Sequence, residues 1–210
     1  EGLERLTPGR TYVFVANHQS IYDIPVIFWS IPFQLRIIAK ESLGRFPFLG
    51  WHLRRTGHML VDRRRPDRQG IFRWATSLPS RGLSLIVFPE GTRSRDGRVA
   101  PFKAGSFFPA VQTGIPIVPL SVVGSRHVMR KGELTTRPGD VVLVVHPPVA
   151  IAADPDPSPE TMRELAARVR EIVVGAQRSG AQTGDVDLGA GDADLVDREQ
   201  CDETIRREQV

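Results

Sequence analysis

Cysteine is nearly absent: Cys201 is the only one among 210 residues. A single thiol excludes an internal disulfide framework and any cysteine-rich metal site. It fits a reducing compartment. Lysine is almost as rare, with only Lys40, Lys103 and Lys131, so arginine supplies most of the positive charge. No run approaches the roughly 20 apolar residues that a spanning helix needs. The most apolar stretch, residues 21–33, is interrupted by Asp23 and two prolines. No glycine-rich phosphate loop is present, which argues against a nucleoside triphosphate. The five histidines, at 18, 52, 58, 127 and 146, share no metal-ligand spacing, so no metal is expected. There is no internal repeat. The sequence opens at Glu1 with neither an initiator methionine nor a signal-peptide pattern, which leaves room for a segment ahead of it.

What is present suits one α/β domain. The chain is 40% hydrophobic, enough for a sizeable core. Its net charge of +4 hides an asymmetry. Residues 179–210 carry nine acidic and three basic side chains, a balance of −6, so residues 1–178 carry +10. The sequence therefore divides into a basic domain, 1–178, and an acidic tail, 179–210, whose Gly, Asp, Gln and Ala composition predicts disorder. A basic body favours anionic partners.

Apolar, β-prone segments at 11–16, 35–39, 58–61, 84–88, 115–123 and 141–145 alternate with helical patterns. That alternation predicts a mainly parallel central sheet flanked by helices. Two prolines, Pro116 and Pro119, predict an edge or irregular strand at 115–123. The helix from Pro159 to about Ala176 has an apolar face of Met162, Leu165, Ala166, Val169, Ile172 and Val173. The aromatic stretch Phe46–Trp51 reads as core beneath a short helix, with an exposed lip as the alternative.

The chemistry gathers where strands give way to turns, the edge at which α/β proteins bind ligands. Asn17-His18-Gln19-Ser20-Ile21-Tyr22-Asp23 follows the first strand. Histidine suits proton transfer near neutral pH, and a carboxylate can fix its tautomer. Five residues span about 500° on a helix, so His18 and Asp23 meet only if the chain bends between them. The bland alternative is a cap and a helix-dipole partner. Glu90-Gly91-Thr92-Arg93 ends the strongest strand. Gly91 permits a turn, Arg93 offers a bidentate phosphate grip, Thr92 donates a hydroxyl bond, and Glu90 is expected to hold an arginine or a substrate hydroxyl. Arg63 and Lys40 also follow strands, and cations at adjacent carboxyl ends make a phosphate site. Ser20 beside a His and an Asp invites a hydrolase reading, but it lies in no Gly-X-Ser-X-Gly elbow and reads better as a helix cap.

Four motifs occur in order: Asn17-His18-X4-Asp23, Gly57-X3-Val61-Asp62-Arg63, Phe88-Pro89-Glu90-Gly91-Thr92-Arg93-Ser94 and Ile115-Pro116-Ile117-Val118-Pro119. Together they resemble those of the glycerolipid acyltransferases, the 1-acylglycerol-3-phosphate acyltransferase family, over roughly residues 11–125. The resemblance implies an acyltransferase-like α/β fold and transfer of a fatty acyl group from a thioester to a lysophospholipid hydroxyl. It implies His18 as general base supported by Asp23. Arg63, Glu90, Gly91, Thr92 and Arg93, assisted by Lys40, would bind the glycerol-phosphate end, and Pro116 would shape the acyl-donor region. No cofactor is implied; acyl-CoA or acyl carrier protein serves as co-substrate. The family often carries an N-terminal hydrophobic helix or helix pair that docks on the bilayer, and this sequence shows none. Peripheral contact at the cytoplasmic face of a membrane is then expected through basic side chains and Trp29, Phe46, Phe48 or Trp51. Two other classes compete. One is a non-catalytic binder of anionic lipid or nucleic acid. Nucleic acid is disfavoured because interleaved aromatic and basic residues are lacking. The other is a lipid ester or thioester hydrolase.

Overall fold

A six-stranded sheet runs through the centre of the chain in the order β3-β2-β4-β1-β5-β6. The structure, a computed structural model, describes residues 1–62, 65 and 67–183. The strands are β1 (Val13–Ala16), β2 (Leu35–Lys40), β3 (Met59–Val61), β4 (Ser84–Val87), β5 (Ile117–Val123) and β6 (Val142–Val145). The first five are parallel, and only β6 runs antiparallel, against β5. The helices are α1 (Asp23–Ser30), α2 (Pro47–Arg55), α3 (Arg68–Ser77), α4 (Phe108–Thr113), α5 (Ser125–Val128) and α6 (Pro159–Thr183).

Strand periodicity distributes the core between two faces. Phe14, Ala16, Ile37 and Ile86 point to one face and pack with Ile27 of α1, Ile31 just after it and Leu53 of α2. Val13, Val15, Leu85 and Val87 point to the other and meet Ala75 of α3, Val111 of α4 and Met162, Ala166, Val169 and Val173 of α6. The helix α3 starts where its sequence says it should: Asp67 caps it by accepting from the Gly70 N–H. Because β1 and β4 are neighbours in parallel register, the turns that leave their carboxyl ends are also neighbours.

Three expectations change. The proline-bearing β5 is not an edge strand; it lies between β1 and β6 and is buried almost throughout. The sheet accommodates Pro119 at an interruption: the β5–β6 ladder ends at Leu120↔Val145, while the bridge Ile117↔Val149 is offset by one residue. Pro119 sits in that offset, where its missing N–H breaks no ladder bond and its carbonyl accepts from His146 N at 3.0 Å. The stretch Phe46–Trp51 is not core: Phe48 is 90% exposed and Trp51 63%, while Gly50 and Leu53 on the opposite side of α2 are buried. Amphipathic spacing turns the small and aliphatic residues inward and leaves the aromatics outside. Helix α6 continues through Thr183, so residue 179 falls inside it; residues 184–210 lie outside those described.

Candidate active site

The turn after β1 is built around one carboxylate oxygen. Asp23 Oδ2 accepts from His18 Nδ1 at 2.9 Å, from Gln19 N at 2.7 Å and from Ser20 N at 2.9 Å. These bonds supply the bend that the five-residue spacing demands. They also fix the imidazole. Oδ2 is an acceptor, so Nδ1 carries the proton and Nε2 keeps its lone pair. Nε2 makes no hydrogen bond to the described residues. Asp23 is wholly buried, whereas 15% of the His18 side chain is exposed, enough to present one edge. Phe88 stacks on the ring, with centroids 4.3 Å apart.

The neighbours of His18 hold the turn in place. Asn17 pairs both ends of its amide with the Val122 main chain, at 3.0 and 2.8 Å, as an extra rung between β1 and β5. Ser20 is not the helix cap it was expected to be. Its hydroxyl donates to Met129 O at 2.8 Å and accepts from Tyr22 N, and α1 begins without a side-chain cap.

Glu90 joins this turn to the one after β4. One oxygen accepts from His18 N at 2.7 Å and the other from Ala100 N at 2.9 Å. The carboxylate therefore clasps two main-chain segments rather than the arginine or substrate hydroxyl expected of it. Burial pushes its pKa above the ordinary carboxylate value, and the two N–H donors oppose that rise. Ser94 N donates to His18 O at 2.8 Å, and Gln19 Nε2 donates to Gly97 O at 2.8 Å. Gly91 has φ +74°, a left-handed backbone that calls for glycine, and the end of the Lys103 side chain lies over it.

The other expected residues divide. Arg93 is half-buried and Thr92 exposed, both on the β4 turn beside His18. Lys40 ends β2, next to β4, and is exposed at the same edge of the sheet. Arg63 lies outside the described residues. Pro116 is not brought to the site. It precedes β5, and its carbonyl accepts from Val13 N at the amino end of β1. His18 follows the far end of that four-residue strand, roughly 13 Å of chain away at ~3.3 Å per residue.

Three contributors were not anticipated. Lys131 Nζ donates to Thr92 Oγ1 at 2.8 Å and to Arg93 O at 2.9 Å, bracing the β4 turn. Lys103 lies across Gly91. Phe88 covers one face of the imidazole. The rarity of lysine was the only signal for the first two; Phe88 stood at the head of the third motif, but nothing there tied it to the imidazole. Among the described residues no group of three or more His, Cys, Asp or Glu is placed to hold a metal.

Comparison with known proteins identifies the family and the fold. A 1-acyl-sn-glycerol-3-phosphate acyltransferase from Brassica napus chloroplasts is 37% identical over 152 residues, covering 71% of this chain and 44% of its own. One from Salmonella typhimurium is 32% identical over 163 residues, 77% of this chain and 64% of its own. The chain thus spans about half the length of the plant relatives it matches. The crystal structure of the 1-acyl-sn-glycerophosphate (LPA) acyltransferase PlsC from Thermotoga maritima matches with a TM-score of 0.72 and 37% identity, over 90% of this chain and 73% of that one. The family model described as Acyltransferase matches residues 1–123, which include both turns, and the chain belongs to that acyltransferase family.

Proposed function

We propose that this chain moves a fatty acyl group from an acyl thioester to the free hydroxyl of a lysophospholipid, 1-acylglycerol-3-phosphate, giving phosphatidic acid. The observation that carries the reading is the His18–Asp23 clasp, which leaves Nε2 as the basic nitrogen beside a cationic turn. His18 Nε2 takes the hydroxyl proton as the oxygen attacks the thioester carbonyl. A C–O bond forms and the C–S bond breaks. The departing thiolate then takes the proton from the imidazolium, whose charge Asp23 offsets during the step. No acyl-enzyme is required, and coenzyme A or acyl carrier protein leaves as the free thiol. The phosphate of the acceptor is held by Arg93, Arg63 and Lys40, with Gly91 and Thr92 shaping the turn and Glu90 fixing it to His18.

A hydrolase centred on Ser20 is disfavoured, because that hydroxyl is buried and donates to Met129 O. The acceptor and product are lipids, and a bilayer is met at the exposed aromatic side chains of α1 and α2. Trp29 is 92% exposed and Phe48 90%, with Arg54 and Arg55 exposed on α2. Aromatic side chains flanked by arginines suit an anionic membrane surface, which we place at the cytoplasmic face. No described helix is long and apolar enough to cross a membrane.

The test is a transfer assay on purified protein with labelled acyl-CoA or acyl carrier protein, a panel of lysophospholipids and thiol release monitored. His18→Ala is expected to lower turnover by about 10²–10⁴-fold with thermal unfolding unchanged. Wild-type turnover in the variant would sink the mechanism.

A further inference from the structure

The cavity of about 610 Å³ beside the β4 turn, lined by Glu90, Thr92, Arg93 and Lys131 among others, belongs to the acceptor site already described. A different cationic place lies at the opposite edge of the sheet, by the amino ends of the strands. Arg36, near the start of β2, shares a row with Leu85 and Val13. Ala16 ends β1 three residues further along and two strands across, roughly 14 Å away at ~3.3 Å per residue and ~4.8 Å per strand, and His18 lies beyond it.

Three pieces of chain meet at this edge: the start of β2, the turn from α2 into β3 with Gly57 and His58, and a 3₁₀ turn, Pro79–Arg81, that follows α3. The Arg36 side chain is half-buried. Its Nη1 donates to Leu35 O at 2.8 Å, while its Nε is closed to solvent and has no hydrogen-bond partner among the described residues. Arg81 is exposed, and no ion pair joins either arginine to a described carboxylate. Arg36 Nε and Arg81 Nη2 lie 3.8 and 3.7 Å from one point, the place that a Cβ on Gly57 would take, and glycine leaves it empty. Gly57 heads the second sequence motif, yet it plays no part in the transfer chemistry. Trp74 Nε1 donates to its carbonyl at 3.1 Å and fixes the turn. Burial, then the neighbouring Arg81, lowers the pKa of Arg36. His58 feels the same field: its Nδ1 accepts from Ile37 N at 3.1 Å, and burial, then Arg36 and His52, push its pKa down to about 4. A buried donor without an acceptor and like charges without a counterion both cost stability, and one anion relieves both.

We propose that the Arg36–Gly57–Arg81 cleft binds a phosphate group, at a site separate from that of the acceptor. The tetrahedral oxygens of a phosphate serve two guanidinium forks at once, as a planar carboxylate cannot. The Arg36 fork turns its Nε edge to the anion, which gives that donor its acceptor. The bound group ties β2, the α2–β3 turn and the Pro79–Arg81 turn together. Its source is free phosphate or a lipid headgroup, since the exposed Arg54 and Arg55 of α2 lie just ahead of the same turn.

The probe is inorganic phosphate, titrated into the whole chain at constant ionic strength while the His58 ring protons are followed by NMR; this readout does not depend on acyl transfer. We expect a saturable shift of the His58 signals in the millimolar range. Arg81→Ala changes an exposed side chain and should weaken the binding about tenfold, and Arg36→Gln should abolish it. Arg93→Ala should bind as wild type does, because the acceptor site lies at the other edge. No saturable shift in wild type, or the same affinity in Arg81→Ala, would overturn the proposal. So would loss of the shift in Arg93→Ala, or a raised KM for 1-acylglycerol-3-phosphate in Arg81→Ala, since the cleft would then belong to the acceptor site. Vesicles of phosphatidylcholine, alone or mixed about 3:1 with phosphatidylglycerol, distinguish the two sources. If Arg81→Ala binds the anionic vesicles more weakly and inorganic phosphate competes for them in wild type, the group is a lipid headgroup. Equal binding assigns the cleft to free phosphate.

Discussion

The turns after β1 and β4 leave neighbouring parallel strands, yet they are finished in opposite ways. In the first, Asn17, Gln19, Ser20 and Asp23 are buried, and all four side chains are bound to the protein's own main chain. In the second, Thr92, Arg95 and Arg98 are exposed, and the arginine forks reach into open space. The difference follows from what each must do. A general base works only if its ring and tautomer are set before the substrate arrives, so the protein spends its own hydrogen bonds on it. A phosphate grip must keep its donors unspent until the anion comes. The sharpest way to break this contrast is Asp23→Asn. The amide oxygen can take the place of Oδ2 and keep its three donors, but it carries no charge to offset the imidazolium. Turnover should fall by about 10²–10⁴-fold with KM values little changed. The bonds from Gln19 N and Ser20 N lose their charge assistance, so unfolding free energy should drop by about 1–2 kcal/mol. A variant that kept its turnover and lost only acceptor affinity would exchange the roles of the two turns.

Arg93→Ala probes the other side with the next largest effect. Loss of a charged fork should raise the KM for the phosphorylated acceptor about tenfold or more and leave kcat within a fewfold. Competing acceptors without phosphate should show no such change. If only the donor KM rises, the β4 turn holds the acyl donor and not the acceptor phosphate.

The same contrast explains what the sequence could disclose. The strands were legible because buried parallel strands are continuous apolar runs, and β1, β2, β4 and β5 fall within two residues of expectation. The His18–Asp23 pairing was legible because five residues cannot bridge on a helix but can on a bend. What was hidden depends on distant partners. Prolines 116 and 119 signalled an edge or an irregular strand, and the choice between them rested on a distant one-residue offset at Val145–Val149 that lets β5 stay central. Aromatic content signalled core at Phe46–Trp51, but the turn angle of α2 points those rings outward. Glu90 could not be matched to His18 N and Ala100 N, since main-chain donors have no sequence signature.

Glu90 lies on the border of the two regions and gives a smaller, pH-dependent effect. Its folded-state pKa is raised, chiefly by burial, above the ordinary value of 4.5. Below that value the carboxyl is protonated both folded and unfolded, and contributes no pH dependence. As pH rises past it, the unfolded chain ionises first, so the folded state loses stability relative to a variant that cannot titrate. Against Glu90→Gln, wild type should therefore lose relative melting temperature as pH climbs above 4.5, levelling off once the folded carboxyl has ionised. A melting difference that grows with pH would mean that Glu90 is held as a favoured anion, and would move it to the ligand-facing side of the comparison.

Lys131→Met gives the smallest change and sharpens the boundary. Its ammonium bonds to Thr92 Oγ1 and Arg93 O, neutral oxygens at the rim of the cavity. Methionine keeps most of the side-chain bulk and removes the two bonds. A partly exposed pair of this kind is worth about 1 kcal/mol or less, so KM values should rise no more than about fivefold. The rise should shrink with added salt, because a missing cation at an exposed phosphate site matters less when ions screen it. Turnover at saturation should stay at the wild-type level, since the base turn is fixed by Asp23, Asn17 and Glu90 without help from Lys131. A fall in kcat that persists at high salt would show that the brace on the β4 turn also sets the position of His18, through the Ser94 N–His18 O bond. The two turns would then act as one unit.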